Sequence, residues 1–136
     1  MFSDSFTLRT TDHMEMIDIT DTVQNAIAAQ NYVQGYCYIF NPHTTAGLTI
    51  NEGADPDVQT DIINAFQHMV PKNIPYRHGE GNSRSHVMAS LMGSHLTLAI
   101  DNGHLRLGTW QRIFFCEFDG PRTRHIHLRL HTSPEL

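Results

Sequence analysis

His43-Thr44-Thr45-Ala46-Gly47-Leu48-Thr49-Ile50-Asn51-Glu52-Gly53 is the stretch around which the chain is organised. Read with the two-residue period of a β-strand, Ala46, Leu48 and Ile50 fall on one face and His43, Thr45, Gly47, Thr49 and Asn51 on the other. The first set is core-like, and the second carries an imidazole, hydroxyls and an amide. A strand built only for packing rarely spends its second face in this way, although a solvent-facing antiparallel strand can. The stretch predicts a strand buried on one side with a candidate site on the other.

Upstream, Tyr36 to Phe40 is aromatic and β-branched enough for a buried strand, ended by Asn41-Pro42. Ser5 to Thr10 and Met14 to Ile19 alternate around Thr11-Asp12-His13 and predict a β-hairpin. Thr20 or Asp21 can cap a short amphipathic helix running to about Gln30. Downstream, an Asp55 cap with Pro56 at the first helical position opens a helix from Asp55 to Val70. Asn82 or Ser83 can cap a second over Ser85 to Met92, stopped by Gly93, on which Asn82, His86, Ser90 and Gly93 share a side. Ser94 to Asp101 alternates, Asn102-Gly103 is a strong hairpin signal leading into His104 to Leu107, and Ile113 to Phe118 is an apolar strand. After a turn at Asp119 to Arg122, the strand Arg124 to His131 sets Ile126, Leu128 and Leu130 against His125, His127, Arg129 and His131. These elements predict one α+β domain over 1–136, with a mixed or antiparallel, sandwich-like sheet and about three helices.

The 136 residues are 40% hydrophobic and 17% charged, an ordinary globular balance. A net charge of −5 with scattered basic residues argues against a nucleic-acid partner. Met1-Phe2-Ser3-Asp4 does not resemble a secretory signal, and no run approaches the roughly 20 apolar residues of a membrane span. Cys37 and Cys116 sit in apolar runs, as buried free thiols would in a reducing compartment, so a cytoplasmic protein is expected.

Ten histidines supply candidate chemistry. His43, His78 and His86 could assemble a metal site with Asn51, Glu52 or Asp101 beside them, since three imidazoles and an open water position suit a catalytic ion. None of the spacings is a zinc-finger or His-Glu-x-x-His signature, and surface or capping histidines are the plain alternative. Arg122, Thr44 and Thr45, with Arg84, could form an anion site, because guanidinium forks and hydroxyl donors suit phosphate. Alternatively, Arg122 pairs with Asp119 across its turn. Trp110 with Gln111 could stack on and orient a flat heterocycle, or Trp110 could be core or subunit interface. His125, His127 and His131 could bind metal or form a solvated strand face.

Several motifs in order, His43-Thr44-Thr45-Ala46-Gly47, Asn51-Glu52, Asp55-Pro56-Asp57, Tyr76 with His78, Gly81-Asn82 with His86, Gly108-Thr109-Trp110-Gln111 and Glu117-Phe118-Asp119-Gly120-Pro121-Arg122, resemble the YjbQ-like proteins. That family is also described as secondary thiamine-phosphate synthases. The resemblance implies a small α+β domain assembled as a homotrimer with pockets near the subunit boundaries. It also implies that His43, His78 and His86 lie together and hold a divalent ion, zinc or magnesium first. The activity it implies joins a pyrimidine pyrophosphate to a thiazole phosphate with release of pyrophosphate. In that chemistry Arg122 and the ion would stabilise the leaving group, Trp110 would stack, Asn51 and Gln111 would orient the ring, and Glu52 or Asp101 would be a ligand or proton acceptor. Thr44, Thr45 and Asn82 would complete the substrate pocket. The alternative is a non-catalytic trimeric module that captures a metal or a phosphorylated metabolite. Relative to many members, the segment Arg77 to Gly81 looks short and the tail from Arg124 to His131 is unusually rich in histidine.

Overall fold

The computed structural model describes residues 1–132 and is a two-sheet antiparallel sandwich with two of its three helices on the outer face of the smaller sheet. The larger sheet orders β1 (Phe2–Arg9), β8 (Thr123–Thr132), β3 (Gly35–Phe40), β5 (His95–Asp101) and β6 (His104–Leu105). The smaller orders β2 (Glu15–Asp18), β7 (Gln111–Glu117) and β4 (Ala46–Glu52). Between the sheets lies the main core, where Ile39 of β3, Leu48 of β4, Ile113 and Phe115 of β7 and Ile126, Leu128 and Leu130 of β8 are all buried. Helix α1 (Thr20–Ala29) adds Val23 and Ile27 to it.

The outer face of the small sheet is covered by α2 (Pro56–Met69) and α3 (Ser83–Met92). Phe114 and Cys116 there pack with Met88, Ala89, Val70 and Phe118 in a second apolar cluster. Strand β7 is therefore buried on both faces, which is why Ile113 to Phe118 reads as a continuous apolar run rather than an alternation. Burial also pushes the thiols of Cys37 and Cys116 up to about 12, which makes them inert. Among the described residues no helix is long and apolar enough to cross a membrane.

The first two strands are not a hairpin. β1 pairs with β8, Phe2 opposite Leu130, whereas β2 pairs with β7, Glu15 opposite Glu117. The Thr11-Asp12-His13 segment carries the chain from one sheet to the other, its Thr11 and Asp12 amides donating to the Glu15 carboxylate. Alternation gave the strand period but not the partner. At Asn102-Gly103 the two agree, with φ of 51° and 78° turning β5 into β6.

The helix starts use different devices from one another. Asp55 accepts from the Asp57 amide as a side-chain cap (2.9 Å), with Pro56 in the first turn. Asp18 rather than Thr20 satisfies the start of α1, accepting from the Thr20 amide, while the Thr20 hydroxyl accepts from the Ile113 amide. Asn82 precedes α3 but makes no capping bond; its amide group donates to Asp119 instead.

Candidate functional site

One end of the sandwich carries a concave pocket of about 380 Å³. It lies where β4 begins, β7 ends and β8 begins, beside the first turns of α3. His43, Thr44, Thr45, His78, Asn82, His86 and Arg122 all line it, together with Glu80 and Arg124.

His43 does not lie on the strand face, because β4 starts only at Ala46. Buried Asn41 shapes the preceding loop: its side-chain oxygen accepts from the His43 amide (3.0 Å) and its amide donates to the Ala46 carbonyl (2.7 Å). The strand face expected to carry chemistry is instead largely covered at its start. A Cβ on Gly47 would sit 2.7 Å from Cβ of Met92, so the glycine exists to let α3 approach.

The His43 ring is fixed by β8. Its Nε2 accepts from the His125 amide (2.8 Å), and the two rings stack at 6.1 Å. Burial, then the Arg124 charge and the neighbouring His125, push its pKa below the ordinary 6.5, so the ring stays neutral with its proton on Nδ1. A neutral imidazole has one lone pair, and here the backbone uses it. His43 is therefore a hydrogen-bond donor rather than a free ligand.

Beneath His43 sits an ion pair buried between the sheets. Glu117 accepts from Nε and Nη2 of Arg124, from the Thr10 hydroxyl (2.8 Å) and from the Asp119 amide (2.9 Å). Arg124 Nη2 also donates to the Thr45 hydroxyl (2.9 Å). Burial alone would raise the Glu117 carboxyl, but these donors, Arg124 foremost, hold it below its ordinary range. Among the described residues the one fully buried side-chain polar atom without a partner is Asn82 Oδ1. Arg124 Nη1, which has no protein acceptor there, must therefore reach the pocket.

Arg122 does pair with Asp119, donating from Nε to its carbonyl (2.8 Å) and from Nη2 to its carboxylate (2.9 Å). The same carboxylate accepts from Asn82 (2.9 Å), so Arg122 and Asn82 are positioned by one group while Arg122 stays half exposed over the pocket. The pairing orients the guanidinium and leaves Nη1 without a protein acceptor among the described residues. Arg84, by contrast, is spent on the carbonyls of Val70 (2.7 Å) and Gln67 (3.0 Å) at the end of α2.

Comparison with known proteins places the chain in a family. The family profile described as UPF0047 protein YjbQ-like covers residues 4–133. The chain belongs to this YjbQ-like family. It is 46% identical to the UPF0047 protein MJ1081 of Methanocaldococcus jannaschii, over 92% of this chain and 91% of that one. With the UPF0047 protein YugU of Bacillus subtilis it shares 45% identity, over 90% of this chain and 94% of the other. A crystal structure of an uncharacterised YjbQ/UPF0047 protein from Clostridium acetobutylicum superposes with a TM-score of 0.91 at 47% identity, covering 94% of this chain and 99% of that one. A hypothetical protein from Aeropyrum pernix K1 does so at 0.92 and 32% identity, covering 98% and 100%.

Not every residue expected at the site of this YjbQ-like chain is there. Asn51 and Glu52 end β4, and Gln111, opposite Glu52, begins β7. Six strand steps separate Ala46 from Glu52, roughly 20 Å at about 3.3 Å each. Trp110 lies at that distant end, where its carbonyl accepts from the Gly53 amide, and its side chain is 64% exposed, which rules out a core role. Asp101 is at the far end of β5 as well: His95 pairs with Phe40 near the pocket, whereas Asp101 holds Arg106 and Gln34. Within one chain these five residues cannot share a ligand with the histidines. His125, His127 and His131 are exposed on the outer face of the large sheet.

A three-imidazole metal site does not fit this geometry either. His78 and His86 do meet, edge to face at 5.3 Å between ring centroids, but the lone pair of His43 is engaged. Among the described residues no three His, Cys, Asp or Glu side chains are grouped closely enough to hold an ion. The residues that sequence reading passed over are Arg124, Glu117 and Asn41. A signal existed for the first two: Arg124 falls in the apolar register of Ile126, Leu128 and Leu130, and Glu117 in that of Ile113 and Phe115.

Proposed function

We propose that this pocket binds the phosphoryl or pyrophosphoryl group of a small metabolite and that the protein is an enzyme acting on it. The observation that carries the proposal is the convergence of Arg122 and Arg124, each with an unspent Nη1, on a pocket that also holds neutral His43 and the Thr44 and Thr45 hydroxyls. Such donors suit tetrahedral oxyanions and charge developing on a leaving group. His78 and His86 stand by as proton donors or acceptors. The reaction class we favour is transfer with pyrophosphate release, as in joining a pyrimidine pyrophosphate to a thiazole phosphate, with Arg122 and Arg124 stabilising the departing group. No step is routed through a metal ion, because the three-histidine set is not formed.

We further propose a homotrimer in the cytoplasm, where two unpaired buried thiols persist. A neighbouring copy is the one source from which a Trp110 and Gln111 end could be brought to this pocket. Light scattering should give three times the 15.5 kDa chain mass; a monomer removes Trp110, Gln111, Asn51 and Glu52 from the mechanism altogether.

Titration calorimetry with inorganic pyrophosphate tests the site. Arg122→Ala should weaken binding about tenfold or more, since a charged hydrogen bond contributes about 1.5–3 kcal/mol, and should fail to rescue a thiamine auxotroph that the wild type rescues. Equal affinity in both proteins would sink the anion pocket. Tight binding without rescue or turnover would favour a capture module over an enzyme.

A further inference from the structure

A second cavity, of about 510 Å³, adjoins the first, and His43, Thr44 and His86 line both. We infer that the two are halves of one ligand site, the second accepting the compact uncharged organic part of a phosphate ester whose phosphoryl group lies against Arg122 and Arg124. This rests on the anion pocket proposed above.

The partition of chemistry between the halves is the evidence. Arg122, Arg124 and Glu80 are confined to the first cavity, and no arginine, lysine, aspartate or glutamate lines the second. Its outer wall is the side of α3 that carries Ala89 and Ser90, continued by Gly93. The Ser90 hydroxyl donates back to the His86 carbonyl one turn earlier (3.1 Å), so it is partly spent and makes a weak anion donor. Small side chains in a row leave the space that a ring or short chain would fill. A second phosphate would find no cation there, whereas a neutral group attached to a bound phosphate would be delivered to it. His86, on the wall between the halves, then stands beside the bond that joins the two parts of the ligand.

The inference sets limits on the substrate class. It excludes free phosphate and pyrophosphate as complete ligands, and it excludes esters whose organic part bears a second phosphate. It favours a monophosphate or pyrophosphate of a small neutral group.

Calorimetry with two probes, inorganic phosphate and phenyl phosphate, tests this. The wild type should bind phenyl phosphate at least roughly tenfold more tightly than phosphate, the discrimination that one small apolar group can give in a pocket. Ser90→Phe, at an exposed helix position, should fill the second cavity and erase that advantage while leaving phosphate affinity unchanged. Ser94→Leu, exposed on the same cavity, gives an independent occlusion, and circular dichroism checks the fold of both variants. Phosphate bound with no gain for phenyl phosphate, or a gain that survives both substitutions, overturns the inference and leaves the anion pocket standing. Failure of the wild type to bind phosphate at all overturns both.

Discussion

Glu117 and Arg124 face each other inside the sandwich, with side chains 0% and 3% exposed, and Glu117, itself held by the Thr10 hydroxyl and the Asp119 amide, accepts from both Nε and Nη2 of the guanidinium beneath His43. Removing one partner leaves the other charged, buried and unpaired, a loss of about 3–5 kcal/mol, whereas removing both in favour of shape-matched groups is far milder. Glu117→Gln should therefore lower unfolding free energy in urea by about 3–5 kcal/mol, and Glu117→Gln with Arg124→Met should recover most of it. If the double variant is as unstable as the single, the pair is not coupled. Arg122 is the contrasting case. Its ion pair is half exposed and contributes little to stability, so the effect of its loss belongs to ligand binding.

At the scale of elements, the junction of β4 with α3 sets the geometry of the site. Leu48 donates to the Gly93 carbonyl (3.0 Å), and Gly47 meets Met92 with no room for a methyl group. Gly47→Ala should cost about 1–3 kcal/mol as overpacking, measured by the shift of the urea midpoint at constant slope. It should also displace His86, which α3 carries, and so weaken phosphate binding; an unaffected variant would show that α3 can slide freely. Helix α2 was legible because its cap and first-turn proline are local signals. The role of Asn82 was not, since whether an asparagine caps a helix or reaches Asp119 depends on a residue 37 positions away in the chain.

The whole molecule should lose stability as pH falls. Glu117 and Asp18 both have native pKa values held below their ordinary 4.5 and 3.8, by donors that outweigh burial. Each contributes stability that is present above its ordinary value and lost as pH drops towards its native one, because the unfolded chain takes up the proton first. His43 acts with the same sign from higher pH. Burial keeps it neutral below 6.5, the unfolded chain protonates there, and stability begins to fall as pH passes below about 6.5. Urea unfolding from pH 8 to about 2 should show both stages, and His43→Gln should remove the upper one while retaining the lower. A flat profile through pH 6 would mean that His43 is not held neutral.

What the sequence determined by itself were the periods and the punctuation: alternating strands, the apolar run of Ile113 to Phe118, the Asp55 and Asn102-Gly103 signals, and the buried set of Leu48, Ile126, Leu128 and Leu130. These follow from local sterics and from which side chains avoid water, so each stretch of chain carries its own evidence. Only the tertiary structure decided that β1 and β2 part into different sheets, that His43 spends its lone pair on His125, and that Arg124 reaches the pocket while Trp110 and Asp101 lie at the other end. Pairing and convergence join residues far apart in the chain, and alternation alone fits many partners equally well until the packing of two sheets and three helices selects one. The opening stretch from His43 to Gly53 shows both sides of this division. Its apolar alternation was read correctly, and its pocket-lining residues His43 to Thr45 lie in the loop that Asn41 folds before the strand begins.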